Sequence, residues 1–387
     1  MKIAMVAYTN YEQDNRVRRY AEALAMRGDH VDAIVLKAPG QDDVGELKGV
    51  RITRIQKRND NEKLPTTYLF KLLLFMVRSA VLLTKNSLRG KYDVIHVHSV
   101  PDFEVFAAII PKLLGTKIIL DIHDIVPEFY VYKFHKGKNS LIFKMLIAME
   151  KLSIAFADHV IIANHIWYET LVSRSVKKEK CSVVLNYPDL SIFSRNGSRR
   201  EDGKFIMIYP GTLHWHQGID IAIRGFKKIA EKYPGAEFHI YGDGGKKKSL
   251  LELIDQEGLK ERVLFKGVLT MEGIAAAMSE ADLGVVPKRA VSFGNEAFST
   301  KILEFMAIGI PVLASSTRID RFYFDDSQVM FFRSEDVDDL ASKMELLIND
   351  KDLRASLVRN SGAYIAENNW DVKRSEYFEL IHSLELP

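Results

Sequence analysis

Residues 293–315 read FGNEAFSTKILEFMAIGIPVLAS, and this stretch predicts a loop, a helix and a buried strand in that order. Ser299 and Thr300 are residue types that open helices, and Gly309 is placed to end this one. The apolar run IPVLAS that follows is typical of a parallel strand covered on both faces. A helix that leads directly into such a strand is the repeating unit of α/β proteins, so the segment indicates that fold class.

Charged residues of the same stretch indicate an anion-binding function. The free backbone N–H groups at a helix start suit phosphate. Lys301 lies in the first turn, where its charge opposes the helix dipole, and an anionic ligand would explain its position. Glu296 could accept hydrogen bonds from sugar hydroxyls, and Glu304 could hold a ribose diol. The spacing alone leaves an alternative open, which is a surface helix with solvated glutamates.

Outward from this segment, apolar runs alternate with helical patterns along the whole chain. The clearest helix covers 15–27, with Val17, Tyr20 and Leu24 on one face and Gly28 positioned to end it. A second alternating series follows residues 188–204, which are polar and rich in Pro, Gly and Ser. The predicted strands of the first series are 2–8, 31–37, 92–99, 116–123, 158–164 and 181–187.

Two successive α/β alternations predict two doubly wound, Rossmann-like domains. We expect an amino-terminal domain over 1–190, a linker over 191–204, a carboxyl-terminal domain over 205–365, and a last helix over 366–387 that packs back on the first domain. Ligands of doubly wound sheets bind beyond the carboxyl ends of the strands, so a cleft between the domains is the expected site.

The composition is that of a globular protein, because 47% of the 387 residues are apolar and 27% are charged. A single cysteine, Cys181, excludes an internal disulfide framework and a cysteine-ligated zinc site. The start MKIAMVAY enters a strand pattern at once and lacks the layout of a signal peptide. We therefore expect a cytoplasmic protein.

The formal net charge of +3 conceals an asymmetry, since residues 1–195 carry +8 and residues 196–387 carry −5. A nucleic-acid partner is not expected from the basic half. Its cations are scattered, and no recognised nucleic-acid-binding motif accompanies them.

Several segments resemble one protein family. The spacing of Glu296 and Glu304, followed by EFMAIGIPVLAS, resembles the family-four retaining glycosyltransferases, which have the GT-B fold of two Rossmann-like domains. The similarity covers most of the chain, and its segments follow the family's order. The other similar segments are YTNYEQDNRVRRYAEALAMRGDHV, IHVHSVPDFEVF, LDIHDIVPE, ADHVIIANHIWYETL, VLNYPDLSIF, YPGTLHWHQGIDIAI, IYGDG and VLFKG.

The resemblance implies transfer of a sugar from a nucleotide-diphosphate sugar to a hydroxyl of a saccharide or a lipid-linked acceptor. The configuration of the sugar would be retained, and the product would belong to cell-surface polysaccharide or glycoconjugate synthesis. The base and the sugar of the donor stay open between UDP, GDP, ADP and TDP compounds.

Roles for individual residues follow from the resemblance. Glu296 would contact the donor sugar and Glu304 the nucleotide ribose. His123, in LDIHD, stands where the family has a histidine close to the transferred sugar, whereas His96 and His98 are interpreted as sheet-face residues. The implied backbone contacts are those of Phe298, Ser299 and Thr300 with the diphosphate and of Val268 with the base.

The chain departs from the family in segment 211–218, which begins at Gly211. Many members carry an arginine and a lysine here that hold the diphosphate, whereas this chain has Thr212 and Gln217. Losing two hydrogen bonds to a charged group costs about 3–6 kcal/mol, so an active enzyme needs other cations. The candidates, in order, are Lys301, then Arg16, then Lys288 with Arg289, and His214 and His216 could donate if protonated.

We expect neither a metal ion nor another cofactor, because fixed protein donors could balance the charge of a diphosphate leaving group. The motif Asp336-Val337-Asp338 is better explained as a helix start. His98 and His123 could bind a metal in principle, but carboxylates at a recognisable metal-site spacing do not accompany them.

Residues 64–89, LPTTYLFKLLLFMVRSAVLLTKNSLR, are unusually apolar, but their uncharged runs are too short to span a bilayer. Lys71, Arg78 and Lys85 recur every seven residues and share one helix face. One interpretation is peripheral binding to the anionic inner face of the cell membrane, and the alternative is a core helix with a solvated basic stripe. Further lysines lie nearby at Lys133, Lys136, Lys138, Lys144 and Lys151.

Two other functions stay open at this point. A non-catalytic nucleotide-sugar-binding subunit of the same fold would explain the missing arginine and lysine. A different enzyme of the same architecture, such as a nucleotide-sugar epimerase or a glucan phosphorylase, is the second alternative. The phosphorylase is disfavoured because the chain shows no recognisable cofactor-lysine segment.

Overall fold

The structure is a computed structural model that describes residues 1–57, 65–134, 137, 139–194, 200 and 202–384. The chain divides into two compact units. The amino-terminal unit comprises Met1–Asn186 with Arg374–Pro387, and the carboxyl-terminal unit comprises Tyr187–Lys373. Of the predicted linker over 191–204, residues 195–199 and 201 lie outside the described part of the chain.

The amino-terminal unit is built on an eight-stranded sheet. Its strands are β1 (Lys2–Asn10), β2 (His30–Lys37), β3 (Val44–Leu47), β4 (Val50–Lys57), β5 (Val94–His98), β6 (Lys117–Ile122), β7 (His159–Ile162) and β8 (Cys181–Val183). Their order in the sheet is β3-β4-β2-β1-β5-β6-β7-β8, and every pair except β3 with β4 is parallel. Near-continuous apolar strands such as β1 are buried along most of their length, as predicted for a sheet covered on both faces.

Helices cover this sheet. They are α1 (Asn15–Met26), α2 (Pro65–Arg89), α3 (Ile109–Leu113), α4 (Val126–Phe134), α5 (Leu141–Phe156) and α6 (His165–Arg174), with 3₁₀ turns at Tyr11–Gln13, Asp102–Ala108 and Lys178–Lys180. The predicted helix over 15–27 is confirmed as α1, whose buried face includes Val17, Tyr20 and Leu24. Asp14 caps its first turn, and Gly28 follows it with a φ of 99°.

The sequence-based prediction omits β3 and β4. β4 alternates between buried and more exposed residues, which is the period of a strand with one covered face. β3 pairs antiparallel at the edge of the sheet. Both strands lack the long apolar runs on which the other assignments rest, so the search for such runs did not detect them.

The carboxyl-terminal unit is a second doubly wound domain around a six-stranded parallel sheet. Its strands are β9 (Phe205–Pro210), β10 (Ala236–Tyr241), β11 (Val263–Gly267), β12 (Leu283–Val286), β13 (Val312–Ser315) and β14 (Met330–Phe332), in the order β11-β10-β9-β12-β13-β14. The helices are α7 (Ile219–Ala230), α8 (Lys247–Gln256), α9 (Met271–Ser279), α10 (Thr300–Ile308), α11 (Arg318–Tyr323), α12 (Val337–Asn349) and α13 (Lys351–Glu367), with 3₁₀ turns at Trp215–Gln217 and Ser292–Asn295. The predicted α/β class with two Rossmann-like sheets is confirmed.

The last helix, α14 (Trp370–Ser383), begins in the carboxyl-terminal unit and belongs to the amino-terminal unit from Arg374 onward. Tyr377 and Ile381 are fully buried. The residues just before position 190 belong to the carboxyl-terminal unit, where the Trp370 N–H donates to the Pro188 carbonyl at 3.0 Å.

Helix α2 has a buried face and an exposed apolar face. Leu72, Phe75 and Leu83 are buried within the amino-terminal unit, and the Arg78 guanidinium donates to the Ile55 carbonyl of β4 at 3.1 Å. A second face exposes large apolar side chains, which include Phe70. By length and composition alone, Thr66–Arg89 is long and apolar enough to cross a membrane. Of its most apolar 18-residue stretch, 22% is buried within the protein. Residue 64 of the predicted segment lies outside the described residues.

Candidate functional site

The strand order of the carboxyl-terminal unit creates a crevice at one place. β10 lies beside β9 on one side, and β12 lies beside β9 on the other. The connections after β9 and β12 therefore leave the sheet in opposite directions, which is the topological switch point where open α/β sheets bind ligands. The segments at this point are 211–218, which follows β9, and 287–299, which follows β12.

Glycines hold these two segments together. Gly218 has a φ of 66°, and a Cβ there would lie 1.9 Å from the Pro287 carbonyl oxygen, so no other residue fits. The Arg289 N–H donates to the His216 carbonyl at 2.9 Å. The backbones of both segments are thereby fixed against each other.

A second pair of glycines closes the other side of the β9 segment. A Cβ on Gly242, after β10, would lie 1.8 Å from the Gly211 carbonyl oxygen. The Leu213 N–H also donates to the Asp243 carbonyl at 2.9 Å. Gly211 therefore has a defined position, even though its φ of 139° is one that side chains rarely allow.

Helix α10 begins at this crevice, and its predicted ends are confirmed. Ser299 is the N-cap residue, makes no side-chain capping hydrogen bond, and is buried. Gly309 ends the helix with a φ of 78°. An N-terminus whose N–H groups are not capped by the N-cap side chain retains its capacity to bind an anion.

Lys301 connects the start of α10 with the β9 segment. Its Nζ lies 3.4 Å from Gln217 Oε1, and its side chain passes Gly211 closely enough that a Cβ there would lie 3.2 Å from Lys301 Cε. The ammonium also lies 5.2 Å from the centre of the Tyr209 ring. Burial lowers the pKa of Lys301 to about 8, while Glu304 opposes that shift. Three predicted donor-site residues, Gly211, Gln217 and Lys301, are thus in one place.

The two predicted glutamates flank the start of α10. Glu296 follows the Ser292–Asn295 turn, and its Oε1 accepts from Arg318 Nη1 at 2.9 Å. Because Arg318 is largely exposed, this ion pair is weak enough for a ligand to replace. Glu304 lies one turn beyond Lys301 and is half-buried.

The remaining predicted donor-site residues line the same edge of the sheet. Thr212 is exposed, and its carbonyl accepts from the Tyr209 hydroxyl at 2.9 Å. Val268 follows β11 and is exposed. The Phe298 ring packs edge-on against Tyr323 at 4.9 Å, so its backbone rather than its ring is placed for ligand contact.

Two predicted substitutes for the missing cations are engaged elsewhere, which corrects the prediction. Arg289 is mostly buried and donates to both carboxylate oxygens of Asp220, at 3.0 and 2.8 Å, and to Glu335 at 3.0 Å. Lys288 is paired with Asp320 at 3.0 Å and donates to the Ala297 carbonyl at 2.7 Å. Both residues hold the segment before α10 in place and have no free charge to offer a diphosphate.

His216 was expected to donate to the diphosphate only if protonated, and its surroundings disfavour that form. Burial and the positive charges of His214, Lys301 and Lys288 lower the pKa of His216 to about 4. Neutral His216 accepts a hydrogen bond at Nε2 from Gln217 Nε2 at 3.1 Å. That contact turns the Gln217 carbonyl oxygen towards Lys301.

Arg16, the second predicted substitute, lies in the amino-terminal unit and is buried. It forms a bidentate pair with Asp121, with both contacts at 2.7 Å. Burial alone would raise the pKa of the Asp121 carboxyl, but the charges of Arg16 and His123 outweigh it and hold that pKa well below its usual range. Arg16 is therefore a partner of Asp121 rather than a free diphosphate ligand.

His123 directly follows β6, beside this pair, and is the partly exposed member of a histidine cluster. His96 and His98 are buried on one face of β5, as predicted for sheet-face residues. Their rings stack at 4.2 Å, and the His98 ring meets the His123 ring edge-on at 5.3 Å. His96, His98 and Asp121 lie close enough together to hold a metal ion, but Arg16 already balances the Asp121 charge.

Asp121, Tyr209 and Asp220 were not predicted from the sequence. Asp121 interrupts the apolar run of β6, and a charged residue at such a position signals a buried partner. Tyr209 lies in the apolar strand FIMIY and gave no comparable signal. Asp220 lies in the first turn of α7, where acidic residues are common, so the sequence gave no reason to single it out.

Comparison with known proteins assigns each half of the chain to a family. Residues 13–191 match the family described as Glycosyltransferase Family 4. Residues 192–363 match the family described as Glycosyl transferases group 1. The two matches adjoin each other, and together they cover most of both units.

Full-length similarity extends to curated proteins. The chain is 26% identical to the uncharacterized glycosyltransferase MJ1607 of Methanocaldococcus jannaschii, with 96% of this chain and 95% of that protein aligned. It is 22% identical to the phosphatidyl-myo-inositol mannosyltransferase of Mycolicibacterium smegmatis, over 76% of this chain and 72% of that protein.

Solved structures share the fold. Sucrose-phosphate synthase from Thermosynechococcus elongatus superposes with a TM-score of 0.78 at 20% identity, covering 99% of both chains. Anabaena HepE, solved in complex with UDP, superposes with a TM-score of 0.72 at 17% identity, covering 99% of this chain and all of that one. Taken with the two family matches, these similarities show that the chain belongs to the glycosyltransferases of the GT-B fold.

Proposed function

We propose that this protein is a retaining, metal-independent glycosyltransferase that uses a nucleotide-diphosphate sugar as donor and a saccharide or a lipid-linked hydroxyl as acceptor. The observation that carries the proposal is the cluster of Gly211, Gln217 and Lys301 at the start of α10. In this cluster the mostly buried ammonium of Lys301 lies beside a helix N-terminus that has no side-chain cap. A positive charge next to free backbone N–H groups suits a diphosphate.

The donor occupies the carboxyl-terminal unit in this proposal. The N–H groups at Ser299 and Thr300 and the Lys301 ammonium bind the diphosphate. Glu304 binds the ribose diol, Glu296 binds the sugar hydroxyls, and the backbone at Val268 contacts the base. HepE, which shares the fold, binds UDP, and this supports a nucleotide diphosphate as the ligand class.

Lys301 takes the place of the arginine and lysine that many family members have. A charge-assisted hydrogen bond contributes about 1.5–3 kcal/mol, so one lysine with the helix start restores part of the lost stabilisation. Gln217 supports this role indirectly, because its carbonyl oxygen holds the lysine rather than the ligand.

Transfer proceeds on the face of the sugar from which the nucleotide leaves. The acceptor hydroxyl attacks there, and an oxygen of the departing diphosphate takes its proton. Lys301 and the backbone N–H groups of α10 stabilise the negative charge that develops on the leaving group, and this role requires no metal ion. His123 of the amino-terminal unit contacts the transferred sugar.

The test is a thermal-shift screen with UDP, GDP, ADP and TDP, followed by assays of donor hydrolysis and transfer with the nucleotide that stabilises the protein. The expected result is stabilisation by one nucleotide, turnover in the presence of EDTA, and a product with the anomeric configuration of the donor. Stabilisation without any turnover would instead favour the non-catalytic subunit. Conversion of the donor into an epimer would favour the epimerase.

We propose in addition that the protein is cytoplasmic and binds the inner face of the cell membrane peripherally through α2. Phe70, Val77, Val81 and Leu88 are 54–71% exposed, and their spacings of seven and four place them on one face. Exposed apolar surface of this extent marks an interaction site. The phosphatidyl-myo-inositol mannosyltransferase among the relatives supports a lipid acceptor.

Basic residues flank this apolar face. Lys85 and Arg89 of α2 are exposed, as are Lys144 and Lys151 of α5. Each basic residue near an anionic surface contributes about 1 kcal/mol, so three of them give roughly a hundred-fold enrichment. Lys136 and Lys138, named with them from the sequence, lie outside the described residues.

Liposome flotation tests the membrane proposal. Wild-type protein is expected to float with anionic vesicles and much less with neutral ones, and the double variant Val77→Asp, Val81→Asp is expected to stay in solution. Leu346→Asp, an exposed leucine of the carboxyl-terminal unit, is the matched control and should float like the wild type. Equal recovery on neutral and anionic vesicles would contradict the electrostatic part, and flotation of the double variant would contradict the role of α2.

A further inference from the structure

The backbone that carries Glu296 is held on both sides of that residue. On one side, the Ala297 carbonyl accepts a hydrogen bond from Lys288 Nζ at 2.7 Å. On the other side, Asn295 Oδ1 accepts from the backbone N–H of Arg318 at 2.7 Å. The position of Glu296 is therefore set by residues that lie outside its own segment.

Lys288 is a charged residue in the interior of the carboxyl-terminal unit. It is 2% exposed, and its Nζ lies 3.0 Å from Oδ2 of Asp320, which is 0% exposed. Lysine is almost never fully buried unless it is paired. Burial lowers the pKa of Lys288, while the charge of Asp320 opposes that shift. An ammonium at this depth acts within the protein, and the Ala297 carbonyl is the group of the donor segment that it contacts.

Asp320 lies in the first turn of α11, and the same turn supplies the second contact with the donor segment. Thr317, the N-cap residue of α11, donates from Oγ1 to Asp320 Oδ2 at 2.6 Å and accepts from the Asp320 N–H at 3.2 Å. Arg318, whose N–H donates to Asn295, is the next residue along the chain. Both contacts that hold the Glu296 segment therefore lead to one turn of α11.

Stability alone does not explain this buried ion pair. Asp320 Oδ1 is buried and has no hydrogen-bond partner among the described residues. Replacing a buried ion pair by well-packed apolar residues often leaves stability unchanged or raises it, because both charges lose their hydration on folding. A pair with one carboxylate oxygen unsatisfied is a still poorer stabiliser. Its distinctive effect is the fixed carbonyl beside Glu296.

We propose that the Lys288–Asp320 pair positions Glu296: it ties the Glu296 segment to the first turn of α11, presents the Glu296 carboxylate to the donor sugar, and thereby controls sugar transfer rather than nucleotide binding. Lys288 and Asp320 are positioning residues, because neither contacts a substrate. The role of the carboxylate rests on the proposed function, whereas the tie to α11 does not.

The diphosphate end of the donor site does not depend on the pair. Helix α10, which carries Lys301, is held in the domain by its own buried side chains, among them Ile302 and Leu303. Lys288 and Asp320 shift the pKa of Lys301 in opposite directions, so removing both charges leaves the charge of Lys301 nearly unchanged. The affinity for a nucleoside diphosphate should therefore survive the loss of the pair.

The test compares Lys288→Met with the double variant Lys288→Met, Asp320→Asn. The single change leaves a buried carboxylate without its counter-charge, so the melting temperature should fall. The double change removes both buried charges with little change of shape, so most of the lost stability should return. Transfer should not return with it, because neither variant can donate from position 288 to the Ala297 carbonyl.

We expect kcat of the double variant to fall at least about tenfold, as misplacement of a substrate-contacting group does. The affinity for the nucleoside diphosphate found in the screen with UDP, GDP, ADP and TDP should stay within about twofold. A double variant that regains wild-type transfer together with its stability would overturn the proposal, since the pair would then act on the fold alone. A parallel loss of nucleotide affinity and kcat would overturn it as well.

Lys228→Met is the matched control. Lys228 forms an exposed ion pair with Asp338 of α12 at 2.6 Å in the same unit. The same chemical change there should leave both kcat and nucleotide affinity at the wild-type level. If thermal melting shows that the double variant is unfolded, Asn295→Ala takes its place, because it removes the second contact with α11 at a partly exposed position. The same expectations and the same contradicting results apply to it.

Hydrogen exchange read by mass spectrometry measures the tie to α11 without any substrate. The N–H groups of Glu296 and Ala297 both donate to the Phe293 carbonyl, at 3.1 and 2.9 Å. Their exchange should be at least about tenfold faster in the double variant, with β9 and β10 unchanged. Unchanged exchange over 293–299 would overturn the proposal. Wild-type protein that transfers no sugar contradicts the proposed function instead, and the exchange result still decides whether the pair holds the segment.

Discussion

Lys301 combines a buried position with a positive charge, and this makes nucleotide binding sensitive to pH. Burial lowers its pKa to about 8, and a bound diphosphate favours the protonated form and raises the value. The second pKa of a phosphate group is about 6, so above pH 8 the charge of the nucleotide itself changes little. Affinity for a nucleotide diphosphate is therefore present below pH 8 and falls as the pH rises through that value.

Calorimetric titrations between pH 7 and pH 9 check this dependence. Wild-type affinity should fall about tenfold per unit above the pKa of Lys301, by the linkage of binding to protonation. Lys301→Arg, whose guanidinium stays charged, should show a flat profile over the same range. A flat wild-type profile would show that Lys301 does not contact the diphosphate.

Glu104 is a buried acid that the sugar transfer does not use. It is 0% exposed, and neither carboxylate oxygen has a hydrogen-bond partner among the described residues. Burial raises its pKa to about 8, so the folded protein keeps it protonated while the unfolded chain ionises it above about pH 4. Stability is consequently lost as the pH rises from 4 to 8, by about 1.4 kcal/mol per unit.

Glu104→Gln removes this ionisation with almost no change of shape. The melting temperature of the variant minus that of the wild type should grow between pH 5 and pH 8. Ser334→Ala, a change in the other unit, serves as a reference whose difference should stay constant. A Glu104→Gln difference that is independent of pH would refute the ionisation argument.

The residues of the candidate site were only partly predictable. Lys301 was identified because a lysine in the first turn of a helix contradicts the helix dipole, and that conflict is visible in sequence. Arg16 and Arg289 were assigned wrongly because their partners, Asp121 and Asp220, lie far along the chain from them. Sequence marks a cation near a strand end, but whether it is already paired depends on tertiary contacts.

At the scale of elements, one glycine joins the two segments of the donor site. Gly218 lies between β9 and α7 with a φ of 66°, and a Cβ there would overlap the Pro287 carbonyl oxygen. Gly218→Ala should therefore destabilise the protein by more than about 2 kcal/mol and abolish nucleotide-induced thermal stabilisation. Chemical denaturation of the variant measures the first effect, and the thermal-shift assay measures the second.

Gly362→Ala is the matched control for that prediction. Gly362 lies inside α13, and a Cβ there would meet nothing within 4 Å. Alanine is the better helix former by about 1 kcal/mol, so this variant should be slightly more stable than the wild type. Unchanged stability of Gly218→Ala would mean that the two segments are not held as the structure has them.

Element prediction succeeded where one periodicity dominated. The apolar strands and α1 carry strong local patterns, whereas β4 alternates and β3 is short. Helix α2 shows the limit of periodicity in another way. A solvated basic stripe was one of the two interpretations of this helix, but Arg78 donates to the Ile55 carbonyl of β4, and large apolar side chains such as Phe70 and Val81 are exposed.

At the scale of the whole molecule, the chain returns to its first unit at the end. Tyr377 and Ile381 of α14 are buried in the amino-terminal unit, and burying two such side chains contributes about 3–6 kcal/mol. Truncation after Lys373 should therefore destabilise β5 and β6 while leaving β9 and β10 protected. Hydrogen exchange read by mass spectrometry resolves the four strands, and equal loss of protection in all of them would contradict the division into units.

The central claim is that the site at the start of α10 transfers a sugar, and Glu296 is the residue proposed to contact that sugar. Its partner Arg318 is exposed, so Glu296→Gln should leave the melting temperature almost unchanged. Loss of a charge-assisted hydrogen bond in the transition state lowers the rate by about ten- to one-hundred-fold. Glu367→Gln, the same change at an exposed end of α13, is the control and should transfer at the wild-type rate.

The most direct measurement is the initial rate of sugar transfer by wild-type, Glu296→Gln and Glu367→Gln protein, with the donor identified in the nucleotide screen. A rate that falls at least tenfold in Glu296→Gln alone, with the fold intact, is the expected result. Equal rates in all three proteins would contradict the proposed site.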